Sequence, residues 1–268
     1  MIKEKYPWVK LVELSENFGF AIACNQGYKA SKGEYICLLN NDIEVVEDWI
    51  TELYVGMERH PECGMGTTKM MFLHDREAFY NTGDLFHIWS AGGGRGQGEK
   101  DLGQFDKEEY VFGACAGAGI YRRSFFESIG LFDEDFFIFA EDVDLNMRGQ
   151  LQGHKTVYLP KAKVYHIGTA TVGLYSDRYV YLCKRNDMLV LIKNYSLSLF
   201  FKYLPTILKH QFNDIHYFCS RGQGSVLFKS KWDALKFLFR MLARRYRIQS
   251  TRTVDDSEIE KISITVSS

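Results

Sequence analysis

A short apolar run that ends in three polar side chains constrains the fold more than any other stretch. Residues 35–39, Tyr-Ile-Cys-Leu-Leu, lead directly into Asn40, Asn41 and Asp42. Such a run is typical of a buried strand of a parallel sheet. In open α/β sheets, ligands bind at the carboxyl ends of strands, where a carboxylate can hold Mg²⁺ or Mn²⁺ and through it a diphosphate. The alternative is that Asn40 and Asp42 cap a following helix.

The neighbouring segments place this run in a βαβ unit. Residues 9–14 alternate apolar and polar side chains, which predicts a strand, and residues 20–31 predict an alanine-rich helix. The order strand, helix, strand predicts two parallel strands with a right-handed crossover. A further helix is predicted over 46–59, before a proline, and a further strand over 63–72.

The composition is that of a globular protein. Of the 268 residues, 46% are hydrophobic and 25% are charged, and the formal net charge of −1 gives no indication of a nucleic-acid partner. The six cysteines form no CxxC pair and predict buried thiols of a reducing compartment. Neither a transmembrane segment nor the apolar core of a signal peptide is recognisable, so we expect a cytoplasmic protein.

Residues 74–111 form the least regular part of the sequence and contain the glycine-rich segment 92–98. This part is interpreted either as a mobile lid or acceptor loop or as a surface excursion without a role. The segment also matches the dinucleotide-binding fingerprint formally. Because it lacks the preceding strand and the downstream acidic residue, a nucleotide-dependent oxidoreductase is the least favoured function.

A second cluster of carboxylates lies among aromatic residues at 131–148. Glu141 and Asp142 are predicted in the first turn of a helix, where the helix dipole favours carboxylates. Apolar surroundings should raise their pKa values, which suits a general base. The alternative is an N-cap pair on a solvated helix end. Farther on, His166 ends a strand-like piece and is either a surface histidine or a ligand that completes a carboxylate–metal site.

The character of the sequence changes near residue 179. Helices are predicted over 179–195, 197–219 and 232–246, and the last is basic and amphipathic with aromatic residues. That composition is consistent with lying in an anionic membrane interface, and the alternative is ordinary packing on the domain. Residues 249–268 lack core-forming periodicity and are predicted to be disordered.

Four blocks of residues, in a fixed order over positions 9–172, carry a resemblance to a known family. In them the chain resembles the family 2 glycosyltransferases of the GT-A fold, in particular the bacterial rhamnosyltransferase-like branch. The resemblance implies an α/β three-layer sandwich with a mostly parallel sheet, followed by C-terminal helices. The blocks are 16–21 with 25–27; 33–35 with 39–42; 117–119 with 122–123 and 130–134; and 141–145 with Arg148, His166 and Gly168.

The resemblance also implies roles for the matching residues. Asp42 would bind Mg²⁺ or Mn²⁺ at the diphosphate of a nucleotide-sugar, with His166 as a further ligand. Asp142, or failing it Glu141, would deprotonate the acceptor hydroxyl in an inverting transfer. Donor contacts are assigned to Asn17, Asn25, Asn40, Asn41 and Asp42, and contacts with the phosphates or the acceptor to Gly117, Arg122 and Arg148.

The function implied by this resemblance is that of a metal-dependent hexosyltransferase. It would move a sugar to a glycan or lipid-linked acceptor in cell-surface polysaccharide synthesis, with its catalytic domain at 1–175. Residues 176–248 would form a helical region that contacts the inner face of the cell membrane. Only eight residues precede the first predicted strand, whereas a βαβ unit needs about 30. We therefore expect the nucleotide-binding half to be largely absent, and the alternative function is a non-catalytic remnant that binds a partner.

Overall fold

The computed structural model describes residues 1–89, 92–168 and 173–263, which form a mixed α/β fold. The strands are β1 (Tyr35–Leu39), β2 (Ile43–Val45), β3 (Cys63–Phe72), β4 (Phe79–Asn81), β5 (Asp84–Phe86), β6 (Gly92–Gly94), β7 (Glu109–Val111), β8 (Ala118–Arg122) and β9 (Lys155–His166). The helices are α1 (Ile2–Lys5), α2 (Phe20–Ala30), α3 (Trp49–Arg59), α4 (Arg123–Ile129), α5 (Glu141–Leu151), α6 (Asp177–Asn194), α7 (Leu197–Ser220), α8 (Gly224–Lys236), α9 (Leu238–Thr251) and α10 (Asp256–Ile262).

The central sheet has the strand order β1-β8-β3-β9-β2, with β4 beside β3 and β7 beside β9. Among the described strands of this sheet, only the pair β3–β9 is parallel. The prediction of a mostly parallel sheet is therefore wrong for this part of the chain. Residues 9–14 form no strand, because Val9, Val12 and Leu14 remain exposed and the alternating pattern buries nothing.

Other elements follow the sequence closely. The helix predicted over 20–31 is α2, and the strand predicted over 63–72 is β3, with the predicted bounds. The three-residue strand β2 lies between Asp42 and the helix predicted over 46–59. That helix is α3, which starts at Trp49 and not at residue 46. The strand-like pieces around residue 160 are one continuous strand, β9.

Helices cover the sheet on both faces, as the three-layer prediction requires. On one face α3 contributes Trp49, Leu53 and Met57 to a core with β3, β8 and β9. On the other face α2, α4 and α5 pack against Ile36 of β1 and Tyr121 of β8. The alternation of side chains along each strand supplies both faces from the same segments.

The C-terminal helices share a third core with the part of the chain that precedes them. Phe136, Val143 and Met147, from α5 and the turn before it, pack with residues of α6 to α9 and with Ile259 of α10. Disorder was predicted from residue 249, and this is wrong as far as residue 263, because α9 continues to Thr251 and α10 is docked on this core. Residues 264–268 of that predicted tail, and residues 90–91 of the irregular part, lie outside the described residues.

The basic helix predicted over 232–246 is divided. It is interrupted at Phe237, which ends α8 and precedes α9. Within the described ranges, none of the helices combines the length and the apolar character needed to cross a bilayer.

Candidate active site

Strand pairing brings Asp42 and His166 together. β2 is antiparallel to β9 with Ile43 opposite His166, so the residue before Ile43 meets the end of β9. The Nε2 of His166 lies 3.1 Å from Oδ1 of Asp42. The amide of Ile167 also donates to the carbonyl of Asp42, at 3.2 Å. The three-residue strand that the sequence did not reveal is thus what joins two predicted metal ligands separated by 124 positions.

The imidazole of His166 is held in a buried position. The ring of Tyr80 stands at 84° to it with 4.5 Å between the ring centres. Burial lowers the pKa of His166 against the opposing effect of the Asp42 carboxylate, which keeps the ring neutral at neutral pH. Its Nδ1 is buried and has no hydrogen-bond partner in the described part of the chain. A neutral imidazole is the form that coordinates metals.

The polar residues after β1 do not cap a helix. The next helix, α3, has Asp48 at its N-cap position, and β2 intervenes. The backbone amide of Asn40 donates to the carbonyl of Gly117 at 2.8 Å, which ties the end of β1 to the loop before β8. A Cβ on Gly117 would lie 3.3 Å from Nδ2 of Asn40, so the glycine leaves room for that amide. Asn41 is exposed.

Glu141 and Asp142 open α5, as predicted. The N-cap residue is Ala140 in the left-handed conformation, so the interpretation of the two carboxylates as N-caps is wrong. Asp142 accepts hydrogen bonds from the amides of Val143 at 2.9 Å and Ala116 at 3.4 Å. Burial raises its pKa despite these bonds. Burial, and then the charge of Asp142, raise the pKa of Glu141 well above its usual range. The predicted rise of both values is confirmed in direction.

A third carboxyl group, which sequence reasoning missed, adjoins this pair. Asp84 is buried, and its oxygens accept from the side-chain amides of Asn81 at 2.9 Å and Asn146 at 3.0 Å. Side-chain ligand atoms of Asp84, Cys115 and Asp142 lie within 4.8 Å of one another. Burial, and then the charge of Asp142, raise the pKa of Asp84 well above its usual range. The sequence offers no signal for this contact, because Asp84 lies in the irregular stretch.

The loop that precedes Glu141 and Asp142 is strained. Phe137, Phe139 and Ala140 have positive φ values of 66°, 71° and 60°, which bulky residues rarely adopt. Helix α6 holds this loop through Asn186, whose side chain is fully buried. Its Nδ2 donates to three carbonyl oxygens at 2.6–3.0 Å, those of Phe136, Ile138 and Phe139. Arg185 donates to two more carbonyls of the same turn, those of Asp135 and Phe136.

Asp142 lies between two cavities. The first, called here the sheet cavity, has a volume of about 210 Å³ and is lined by Asn40, Asp42, Gly117, Glu141, Asp142 and His166, among others. The second, called the helix cavity, has a volume of about 470 Å³ and is lined by residues of β6, α6 and α7, among others. Residues that line both are Tyr80, Cys115, Phe139, Ala140 and Asp142.

Five of the predicted site residues line neither cavity: Asn41, which is exposed, and four whose side chains form internal hydrogen bonds. The guanidinium of Arg148 is buried on Asp144 and on carbonyls of residues 129–131. Arg122 lies opposite Tyr35, at the far end of β1, and donates to the carbonyls of Met57 in α3 and Cys63 in β3. Asn25 is buried and ties α2 to Phe132.

Asn17 is the fourth, and it folds back on its own turn. Its Oδ1 accepts from the amide of Gly19 at 2.9 Å. These four side chains form internal hydrogen bonds, so the contacts with donor, phosphates or acceptor that were assigned to them are not seen. Sequence patterns cannot distinguish an arginine or asparagine that bonds to backbone from one that faces a ligand.

Comparisons with known proteins identify similar sequences and folds. Residues 1–130 match the model of the family described as Glycosyl transferase family 2. The chain is 30% identical over 175 residues to the O-antigen biosynthesis protein RfbC of Myxococcus xanthus, which covers 61% of this chain and 14% of that protein. It is 33% identical over 87 residues to the N-acetylglucosaminyl-diphospho-decaprenol L-rhamnosyltransferase of Mycobacterium tuberculosis, covering 29% of this chain and 27% of that protein. The chain thus spans less than a third of the length of these relatives.

Solved structures match over nearly the whole chain. GalNAc-T7, crystallised with UDP, GalNAc and Mn²⁺, superimposes with a TM-score of 0.56 at 16% identity and covers 94% of this chain and 48% of that one. Residues 1–349 of S. aureus TarS in complex with UDP-GlcNAc give a TM-score of 0.53 at 16% identity, covering 97% and 78%. At such identities these likenesses show the fold. Residues 1–130 therefore match glycosyl transferase family 2, within a chain that has the GT-A fold.

Proposed function

We propose that this chain transfers a sugar from a nucleotide-diphosphate donor to a hydroxyl group of a glycan or lipid-linked acceptor, with inversion at the anomeric carbon. The observation that carries the proposal is the position of Asp142 between two cavities. The sheet cavity presents Asp42 and His166, and the helix cavity is lined by the same Asp142 carboxylate. A base placed between a donor and an acceptor is what an in-line displacement needs.

A divalent cation, Mg²⁺ or Mn²⁺, fits the sheet cavity. Asp42 and His166 would hold the ion, because Oδ1 of Asp42 and Nε2 of His166 lie 3.1 Å apart and both residues line this cavity. The neutral state of the buried ring also suits coordination. When bound, such an ion would neutralise the negative charge of the leaving diphosphate. Asn40 adds a polar amide beside it without adding charge.

The remaining chemistry belongs to the carboxylates of α5. Asp142 takes the proton from the acceptor hydroxyl as that oxygen attacks, from the side opposite the leaving diphosphate. Its raised pKa brings it toward the pH at which a general base is most effective. Glu141 lines the sheet cavity but not the helix cavity, so Asp142 is favoured as the base over the alternative that the sequence left open.

The biological setting follows from the relatives. One of them is named for O-antigen biosynthesis and another for rhamnosyl transfer to a diphospho-decaprenol carrier. We therefore propose a role in cell-surface polysaccharide synthesis, on the cytoplasmic side of the membrane where nucleotide-sugars are available. The non-catalytic alternative, a module that only binds a partner, predicts that neither cavity binds a nucleotide or a sugar.

The C-terminal helices support an association with an anionic membrane surface. Residues 197–251 contain ten lysines and arginines and two acidic residues, Asp214 and Asp233, both of them buried. Large apolar side chains in the same stretch are exposed, among them Phe212 by 71%, Trp232 by 67% and Phe239 by 85%. A basic surface with exposed aromatic rings fits the interface of anionic lipids.

Co-sedimentation with vesicles tests the membrane association. Binding to vesicles with anionic phosphatidylglycerol, and little binding to neutral phosphatidylcholine, is expected. The double variant Trp232→Ser and Phe239→Ser should lose most of the binding, whereas Leu102→Ser, at an exposed position outside these helices, should not. Equal binding to both kinds of vesicle would contradict the electrostatic part of the proposal.

Calorimetric titration tests the donor site. Nucleoside diphosphates of uracil, guanine and thymine are titrated into the full chain with and without Mn²⁺. We expect binding that requires Mn²⁺ and that weakens by about tenfold or more in Asp42→Asn. The reason is that this variant loses the carboxylate ligand of the metal and its negative charge. Asp48→Asn, the same change at the exposed N-cap of α3, is the control and should bind as the wild type does. Absence of any binding in the wild type would favour the non-catalytic alternative.

A further inference from the structure

The helix cavity has the lining of a carbohydrate site. Its volume of about 470 Å³ falls within the range of small-molecule pockets, which is about 300–1,000 Å³. It opens beside the candidate base, and its walls come from β5, β6, α6 and α7. The rings that line it are Tyr80, Phe139, Tyr175, Tyr179, Tyr217 and Phe218.

We infer that the helix cavity is the acceptor site and that it takes an uncharged sugar unit, stacked on Tyr179 and its neighbouring rings. This inference rests on the proposed transferase function for the role of the sugar, but not for its binding. The apolar face of a pyranose ring packs on aromatic rings, while its hydroxyl groups need a few convergent polar atoms.

The rings that line the cavity form two groups, one around Tyr179 and one on α7. Tyr179 stands edge-on to Phe139 with 5.1 Å between ring centres, and to Tyr175 with 6.1 Å. Tyr217 is in edge-on contact with Phe218, at 5.1 Å, on the other helix of the cavity. Tyr175 is 46% exposed, so this wall is accessible from solvent. An aromatic wall of this kind binds the face of a ring more readily than an extended charged group.

The charges of the cavity exclude an anionic ligand. Lys184 is the one basic residue among its described lining residues. Its ammonium lies 3.0 Å from Oδ2 of Asp214 and 3.5 Å from Oδ2 of Asp187, so its charge is already compensated. Asp84 and Asp142 add only carboxyl groups. A phosphate or a uronate would therefore meet only carboxyl groups and one compensated ammonium among the lining residues. The guanidinium of Arg221 lies outside the lining and is stacked on the rings of Tyr175 and Tyr217, 5.4 Å from each ring centre.

The glycine strand β6 forms the wall opposite the helices. A Cβ on Gly92 would lie 2.7 Å from Cγ2 of Val143 and 2.9 Å from the carbonyl oxygen of Leu85. A Cβ on Gly94 would lie 2.9 Å from the carbonyl oxygen of Tyr80. Because side chains do not fit there, this wall consists of backbone. The segment left open by the sequence as an acceptor loop or a surface excursion thus supplies one side of the site, which supports the acceptor interpretation.

Saturation-transfer NMR with matched sugars tests the inference. The probes are the methyl glycosides of neutral hexoses, 6-deoxyhexoses and N-acetylhexosamines, and the hexuronides that correspond to the hexoses. We expect at least one neutral glycoside to bind the full chain and its matching uronide to bind about tenfold more weakly or worse, a difference of about 1.4 kcal/mol. Equal or tighter binding of the uronide would overturn the inference, as would the failure of every neutral glycoside.

Two tyrosines of one helix locate the bound sugar. Tyr179→Ala should weaken the binding of that glycoside by about tenfold or more, because an aromatic ring contributes on the order of 1 kcal/mol or more to a stacked contact. Tyr181→Ala is the matched control, since Tyr181 bonds to Asp233 and is not part of the cavity lining. Equal effects of the two variants would overturn the site assignment.

A parallel titration with UDP and Mn²⁺ separates this inference from the proposed function. Loss of nucleotide binding with sugar binding retained would contradict the transferase proposal and leave the sugar site standing. Nucleotide binding without sugar binding would contradict the sugar site and leave the transferase proposal standing.

Discussion

The two cavities that meet at Asp142 are built in different ways. The sheet cavity is made at the ends of β1 and β9, where backbone pairing fixes Asp42 and His166 against each other. The helix cavity is made by side chains that project from α6 and α7 onto a strained loop and a glycine strand. The first depends on strand register, and the second depends on tertiary packing between elements far apart in sequence. Changes to the packing should therefore affect the base and the acceptor side before they affect the metal ligands.

The largest effect on the transfer rate is expected from a change at Asp142, which lines both cavities. Asp142→Asn removes the base while keeping the size and shape of the side chain, so the transfer rate should fall by about 10²–10⁴-fold. Nucleotide and sugar binding should remain. The rate is measured with radiolabelled donor sugars and the neutral glycosides that bind. Glu141→Gln, beside it, should change the rate far less, and the reverse result would make Glu141 the base.

The next effect tests how α6 is anchored under α5. The buried ammonium of Lys193 lies 2.6 Å from Asp133 and 2.8 Å from Asp144. Burial alone would raise the pKa of Asp144, but Lys193 and then Arg148 outweigh it and hold the pKa at about 2. Lys193→Met leaves two buried carboxylates without this partner and should cost about 3–5 kcal/mol of unfolding free energy, measured in urea.

A lysine on the surface supplies the control for that measurement. Lys202 pairs with Glu260 at an exposed position, and Lys202→Met should leave the unfolding free energy nearly unchanged. Similar losses in both variants would mean that the buried network contributes nothing beyond a surface ion pair.

A smaller effect is expected from Asn186, which positions the strained loop. Asn186→Leu keeps the branching and the number of side-chain heavy atoms but removes the three hydrogen bonds to the loop carbonyls. A misplacement of the base by about 1 Å should lower kcat by on the order of 100-fold. The affinity for UDP with Mn²⁺ should stay within about twofold, because the register of β2 and β9 is untouched.

Asn213→Leu on the exposed face of α7 is the matched change for Asn186 and should leave kcat as it is. A general loss of stability in the Asn186 variant would lower nucleotide binding as well as kcat. A parallel fall of both would therefore refute the positioning role.

The smallest effect is a dependence of stability on pH. The pKa of Glu141 is raised by burial and then by Asp142, so the folded chain keeps that proton at a pH where the unfolded chain has lost it. The stabilising effect is complete below the usual glutamate range and is lost as the pH rises toward the folded value. Glu141→Gln removes this loss, so between about pH 5 and about pH 8 its Tm should fall less than that of the wild type.

Thermal denaturation across that pH range measures the difference. Each kcal/mol recovered should raise Tm by about 2–4 °C for a chain of this size. Glu47→Gln, at an exposed position, should follow the wild type. A Glu141→Gln profile parallel to that of the wild type would show that this carboxyl is not perturbed by folding.

The contrast between local patterns and tertiary packing also explains which site residues could be predicted from the sequence. The end of β1, the first turn of α5 and the end of β9 are local patterns, so Asp42, Asp142 and His166 were found. Their proximity depends on β2, which is three residues long and too short to leave a periodic signal. The strand direction was wrong because residues 9–14 show an alternating pattern but bury nothing.

The helix cavity lay beyond sequence reasoning. Asp84 adjoins Asp142, and Asn186 bonds to the loop before it. In the sequence these residues lie 58 and 44 positions from Asp142, and contacts between such distant positions leave no local pattern. Arg122 and Arg148 were assigned to the phosphates or the acceptor because the family resemblance implies such contacts. In the fold both guanidinium groups donate hydrogen bonds to backbone carbonyls or to an internal carboxylate. Only the tertiary structure reveals these contacts.

The central claim is that Asp142 separates two sites that are filled at the same time. The most direct test is to titrate a neutral glycoside into the Asp142→Asn variant before and after saturation with UDP and Mn²⁺. The account predicts that both ligands bind together, with the glycoside affinity unchanged or improved by the nucleotide. Mutual exclusion of the two ligands would contradict it, because it would mean that the cavities are parts of one site.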